Sequence, residues 1–104
     1  MNQDDQREEL RKLLDEAEWS WVKPHVLRDS VIVVEGSLSL LDVAVSVAQN
    51  QVAQMKLWID QGLVRKPSAQ EISAWDLNPS QKFLSIIVQP FVLIQIRESP
   101  SVLH

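Results

Sequence analysis

His25 is the one internal histidine of this chain, so any histidine-dependent acid–base or nucleophilic mechanism would have to run through it. The second histidine, His104, closes a stretch from Ser99 onward that reads as a frayed tail. Eleven serines supply hydroxyls, but none stands in a G-x-S-x-G elbow. Cysteine is absent, which removes thiol chemistry and leaves His25 far short of the four ligands a zinc site draws. No D-x-D-x-D-G loop gathers carboxylates for calcium or magnesium. The expectation is therefore no catalytic residue, no metal and no cofactor. His25 itself reads as an imidazole bonded to nearby backbone where a helix joins a strand.

Other polar residues admit weaker chemistry. Glu35-Gly36-Ser37 lies between a strand and a helix, as phosphate-binding loops do, yet those loops need several glycines and the chain has two. An ordinary strand-to-helix turn is expected, with help in binding a small anion as the alternative, particularly with Lys66 or Lys23 nearby. Arg65-Lys66-Pro67-Ser68 precedes a helix, but residues 68–78 carry Glu71 and Asp76 and no base, so that helix cannot read DNA. Gln89 and Gln95 interrupt an apolar run and must find hydrogen-bond partners if buried. Both read as edge-facing or turn-bonding amides; alternatively one lines a pocket with Trp21 and His25.

The elements that would position these residues are set by the segment Phe83 to Ile96. Ten of its fourteen residues are apolar, on both parities of the sequence. A strand buried on both faces has this pattern, and Pro90 excludes one uninterrupted helix. Helices should cover both faces of the sheet. Gln89-Pro90 is either a type VI turn with a cis bond, closing a hairpin, or a bulge in one edge strand.

Leu10, Leu13, Leu14, Ala17 and Trp21 recur at spacings of three and four, one stripe of an amphipathic helix. Asp4 or Asp5 can cap its start, and Glu8 and Lys12 form an i,i+4 pair. At about 100° per residue, Trp19 points away from that stripe. Either the helix breaks before Trp19, with Ser20 capping a short helix that holds Pro24 in its first turn, or an exposed indole meets a partner. The break is favoured; the alternative makes Trp19 an interface candidate.

Val31 to Val34 reads as a buried strand ended by Glu35-Gly36. Ser39 and Asp42 open a nearly all-apolar helix from Leu40 to about Gln49. A second helix places Val52, Met55, Trp58 and Ile59 on one side and ends at Gly62. Leu63 to Lys66 is a short strand or an extended link. Ser68 and Glu71 form a capping box for a helix with Ile72 and Trp75 inward, stopped by Asn78-Pro79. Trp58 and Trp75 are expected in the core.

A chain of 104 residues makes one domain, here 1–104 with an ordered core of about 5–98, and buries roughly 65% of its unfolded surface. Residues 1–18 carry three bases and seven acids, while the remainder is balanced, so the whole excess of −4 lies on the first segment. Such a segment repels phosphate backbones and anionic lipid. No apolar run reaches the roughly 20 residues of a membrane span, and the acidic start is unlike a secretory signal. A cytoplasmic protein without nucleic-acid or membrane partners is expected.

Trp21-x-x-Pro24-His25, Leu40-x-Asp42-Val43-Ala44, Trp58-Ile59, Gly62-x-x-x-Lys66-Pro67-Ser68 and the closing Val88-Gln89-Pro90-Phe91-Val92-Leu93-Ile94-Gln95 occur in that order. Over residues 10 to 96 this order resembles a small bacterial family of roughly hundred-residue domains of unknown function (DUF-2288-like). The resemblance implies a bacterial, stand-alone, cytoplasmic domain and carries over no activity. The fold expected is α+β, about five helices, two of them short, around a small sheet of the central strand and the C-terminal strands. The function expected is a non-enzymatic interaction or regulatory module that self-associates as a homodimer. The rival is a small-molecule binder or minor enzyme, its ligand unidentified, with a pocket near Trp21, His25, Lys66 and Gln89.

Overall fold

The computed structural model describes residues 3–96, with side chains from Asp5 onward. The expected tail at Ser99 to His104 lies outside those residues. Among the described residues five helices and five strands follow in the order α1 (Gln3–Arg11), β1 (Asp15–Glu18), α2 (Trp19–Leu27), β2 (Val31–Val34), α3 (Leu40–Ala48), α4 (Val52–Asp60), β3 (Val64–Arg65), α5 (Ala69–Asp76), β4 (Lys82–Val88) and β5 (Phe91–Ile96). The strands form one mixed sheet in the order β1-β4-β5-β2-β3, antiparallel except for the β2–β5 pair. The class is α+β, as expected.

The doubly apolar C-terminal segment is a hairpin, β4 to β5, turning at a cis Gln89-Pro90 bond. Of the two expected arrangements the bulged single strand is excluded. Both faces of the hairpin are packed. Ile86 and Leu93 join Val34, Leu40, Leu41, Val43 and Ala44 beneath α1 and α3. Phe83, Val92 and Ile94 join Val31, Val33, Trp19, Val22 and Trp75 beneath α2 and α5.

The caps read from sequence are present. Ser39 Oγ accepts from the Asp42 amide at 3.2 Å, and the Asp42 carboxylate meets Arg7 at 2.7 Å, tying α1 to α3. Ser68 and Glu71 make the full reciprocal box. Gly62 has φ +74°, the left-handed turn that suits glycine after a helix. Leu63 to Lys66 holds the two-residue β3. On α4, Met55 and Trp58 are half-buried while Val52 and Ile59 are exposed, so the stripe expected there only partly meets the core.

The first segment breaks before Trp19, as favoured, but the helix stops earlier than its apolar stripe implied. Asp4 and Asp5 lie within the first turn of α1, and the helix ends at Arg11. Glu8 meets Arg11 and Glu9 meets Lys12, both at i,i+3, in place of the expected Glu8–Lys12 pair. Asp15–Glu18 then runs as an edge strand against β4, with Ala17 opposite Phe83. The β4 edge supplies the backbone partners, and Lys82 holds Glu18 at 2.8 Å. The chain turns into α2 at Trp19, whose amide donates to Gln81 O at 3.0 Å, while the Ser20 amide lies 3.4 Å from Pro79 O. Backbone ahead of β4 thus satisfies the start of α2, no side chain caps it, and Pro24 sits inside the helix rather than in its first turn.

Candidate functional site

Of the two arrangements open for Trp19, the one that leaves it exposed as an interface candidate is overturned, and the chain breaks before it. Its side chain is 1% exposed, with its ring centroid 5.1 Å from that of Trp75 and its Nε1–H donating to Asp76 at 2.8 Å. The break into β1 rotates the chain, so Trp19 faces inward and Trp21, expected on the buried stripe, faces out.

The sheet face beneath α2 and α5 is covered only in part. Along β4, Phe83, Ser85 and Ile87 point to this face; Phe83 is fully buried, whereas Ile87 is 41% exposed. Although the Phe83 to Ile96 segment has the pattern of a strand buried on both faces, Ile87 stands at the open end of this face. Two grooves meet at Ile87. One, about 440 Å³, is bordered by Leu13, Asp15, Ser20, Trp21 and Ser85. The other, about 270 Å³, is bordered by His25, Arg28, Ser30, Gln89 and Pro90. Together they form a trench alongside α2, from β1 at the helix start to Ser30 at its end.

Local structure fixes the trench walls. Trp21 and His25, one helical turn apart, place their rings 4.7 Å centroid to centroid at 51°. The His25 carbonyl, rather than its imidazole, secures the helix-to-strand joint: it accepts from Ser30 Oγ at 3.0 Å and from the Arg28 and Ser30 amides. On the sheet side, Ser85 Oγ donates to Asp15 O at 3.2 Å. Sequence reasoning grouped Trp21, His25, Lys66 and Gln89. The structure brings the first, second and fourth to the trench and leaves Lys66 outside its lining, 2.7 Å from Asp29. Sequence reasoning missed Leu13, Arg28 and Ile87. A break of helix one before Leu13 was the signal that would have exposed Leu13.

Polar networks elsewhere serve the fold. Arg65 clamps Glu71 through Nη1 at 2.6 Å and Nη2 at 2.9 Å, and Nη2 also reaches Glu35 at 2.9 Å. Those bonds hold the Glu71 carboxyl below its ordinary range, against burial, which acts the other way. Gln95 Nε2 donates to the carbonyls of Glu35 and Leu38, bracing the loop before α3. A hollow of about 450 Å³ at that loop is bordered by Glu35, Gly36 and Gln95, whereas Lys23 is engaged with Asp76 at 2.9 Å. Among the described residues no three His, Asp or Glu side chains are grouped to hold a metal ion, and no helix is long and apolar enough to cross a membrane.

Residues 5–96 match the family described as protein of unknown function (DUF2288), and the chain belongs to it. No curated protein matches the sequence. Among solved structures, the NMR solution structure of PA1075 from Pseudomonas aeruginosa is similar, with a TM-score of 0.76 over 91% of this chain and 87% of that one. At 23% identity the likeness shows a shared fold alone.

Proposed function

We propose that this DUF2288 domain is a non-enzymatic interaction module that self-associates, and that its contact surface is the open end of the sheet beside α2. The observation carrying the reading is the cluster Leu13, Trp21 and Ile87, respectively 55%, 43% and 41% exposed around one trench. Large apolar side chains gathered on one surface gain free energy when covered, at about 25 cal/mol per Å². Tryptophan is also enriched at interface centres. Closed two-fold pairing is the commonest way a small protein covers such a patch. A bacterial cytoplasmic setting, with no nucleic-acid, membrane or cofactor partner, belongs to the same reading. Sedimentation velocity at tens of micromolar protein tests it. A dimer is expected for the wild type and a monomer for Ile87→Ser with an unchanged circular dichroism spectrum; a wild-type monomer overturns the proposal.

One observation favours the rival, a small-molecule binder: the Trp21 ring lies against His25, and His25 and Gln89 border the same groove, which offers an aromatic wall, an imidazole and an amide. Native mass spectrometry of purified protein distinguishes the two readings. A retained small mass lost on His25→Ala supports the rival, and an adduct-free dimer supports association.

A further inference from the structure

The trench carries opposite charge at its two ends. At the start of α2 it is bordered by Asp15, which lies opposite Ser85 and so on this face, whereas Glu16 and Glu18, opposite Leu84 and Lys82, turn to the other face and meet Lys82 at 3.9 Å and 2.8 Å. At the end of α2 it is bordered by His25 and Arg28, and Arg28 makes no ion pair among the described residues. Ile87 borders both grooves and so lies between the ends. The surface therefore reads acidic, apolar, basic along one line.

A two-fold axis through the middle of such a line lays each end on its opposite, and the apolar centre on itself. The alternative self-pairing, edge to edge through β1, sets Glu16 and Glu18 against the same acids of the other copy, which like charges oppose. We propose that the occupant of the trench is a second copy of this chain, docked about a two-fold axis at Ile87. Asp15 of each copy then faces Arg28 of the other. The proposal rests on the self-association reading above and adds the orientation of the partner and the charged pair that sets it.

Charge reversal tests it. Asp15→Arg alone places two bases together at both ends, and Arg28→Asp alone places two acids together. Each is expected to weaken dimerisation at least about tenfold, about 1.4 kcal/mol. Mixed one to one, the two variants form a heterodimer with a charge pair at both ends, one the wild-type Asp15–Arg28 pair and the other in reversed order. Native mass spectrometry counts the species by mass, and circular dichroism checks each fold; Asp15→Asn and Arg28→Gln replace any reversal that unfolds, each expected to weaken the dimer less. Preferred heterodimer over either homodimer, with weakening of the wild-type dimer by salt, supports the proposal. A dimer indifferent to these changes but dissociated by Ile87→Ser overturns the orientation and leaves self-association standing. A wild-type monomer overturns both.

Discussion

The Trp19 indole N–H donates to the Asp76 carboxylate at 2.8 Å, fastening the first residue of α2 to the last residue of α5. Asp76 also receives Lys23 at 2.9 Å, and these two bonds, Lys23 first, hold its carboxyl below the ordinary value. Beneath them the Trp19 ring lies on Trp75, which meets Phe83 edge-on with centroids 5.0 Å apart. An indole buried in this way needs a partner for its N–H, and Asp76 is that partner.

Trp19→Ala is accordingly expected to cost about 3–5 kcal/mol, the range for emptying a large aromatic site in a packed core. Asp76→Asn, which keeps an acceptor but drops the charge, should cost much less. Urea denaturation reads both. A Trp19→Ala midpoint close to that of the wild type would place this tryptophan outside the core.

Leu93→Ala and Ile87→Ala should separate the covered face of the hairpin from its open end. Leu93 is fully enclosed between β4 and the helices, so its truncation should cost about 2–5 kcal/mol. Ile87, half open to solvent, should cost about 0.5 kcal/mol in the monomer. Equal losses at low protein concentration would show that Ile87 is covered after all.

These contrasts show which features were legible in the sequence. The hairpin strands were visible because residues buried on both faces leave an unbroken apolar run. The helix caps were visible because they depend on local side chains such as Ser68 and Glu71. Strand β1 was not visible: Asp-Glu-Ala-Glu has no strand propensity, and pairs only because β4 offers an open edge and Lys82 offsets its charge. The stripe of Leu10, Leu14, Ala17 and Trp21 had helical spacing, but Leu10 and Leu14 pack on one face of the sheet and Ala17 on the other. The trench depends on that strand, so of its lining the sequence singles out only Trp21, His25 and Gln89.

Lowering pH should remove the contribution of the Arg65–Glu71 clamp. The Glu71 carboxyl is held below its unfolded value, chiefly by the Arg65 hydrogen bonds. A depressed carboxylate stabilises the fold at pH values above its unfolded-state value, about 4.3. That stabilisation is lost as pH falls through the folded-state value. Glu71→Gln should therefore melt below the wild type at pH 7, and the gap should narrow as pH falls through the folded-state value. A gap independent of pH would mean that charge contributes nothing to the clamp.

Excess EDTA should leave the melting temperature where it is, because the described residues group no three ligands for a metal ion. A large drop would reveal a site formed in part by other residues.

Gln95 gives the last prediction, through the direction of its hydrogen bonds. Its Nε2 donates to two carbonyls, Glu35 O at 3.0 Å and Leu38 O at 2.7 Å, and so fixes the turn between β2 and α3. Gln95→Leu leaves both carbonyls without that donor, an expected loss of about 1–2 kcal/mol at a partly solvated site. Gln95→Glu should be worse at pH 7, since an ionised carboxylate is acceptor-only and would face two acceptors. Protonation of the introduced carboxylate returns one donor to the site, so the Gln95→Glu deficit relative to Gln95→Leu should shrink below about pH 4. Thermal melts of the two variants at pH 7 and pH 4 decide it, with faster hydrogen exchange at the Leu38 amide, which donates to Glu35 O at 3.0 Å, as the local sign. Should Gln95→Glu match Gln95→Leu at both pH values, the amide would not be donating to this turn.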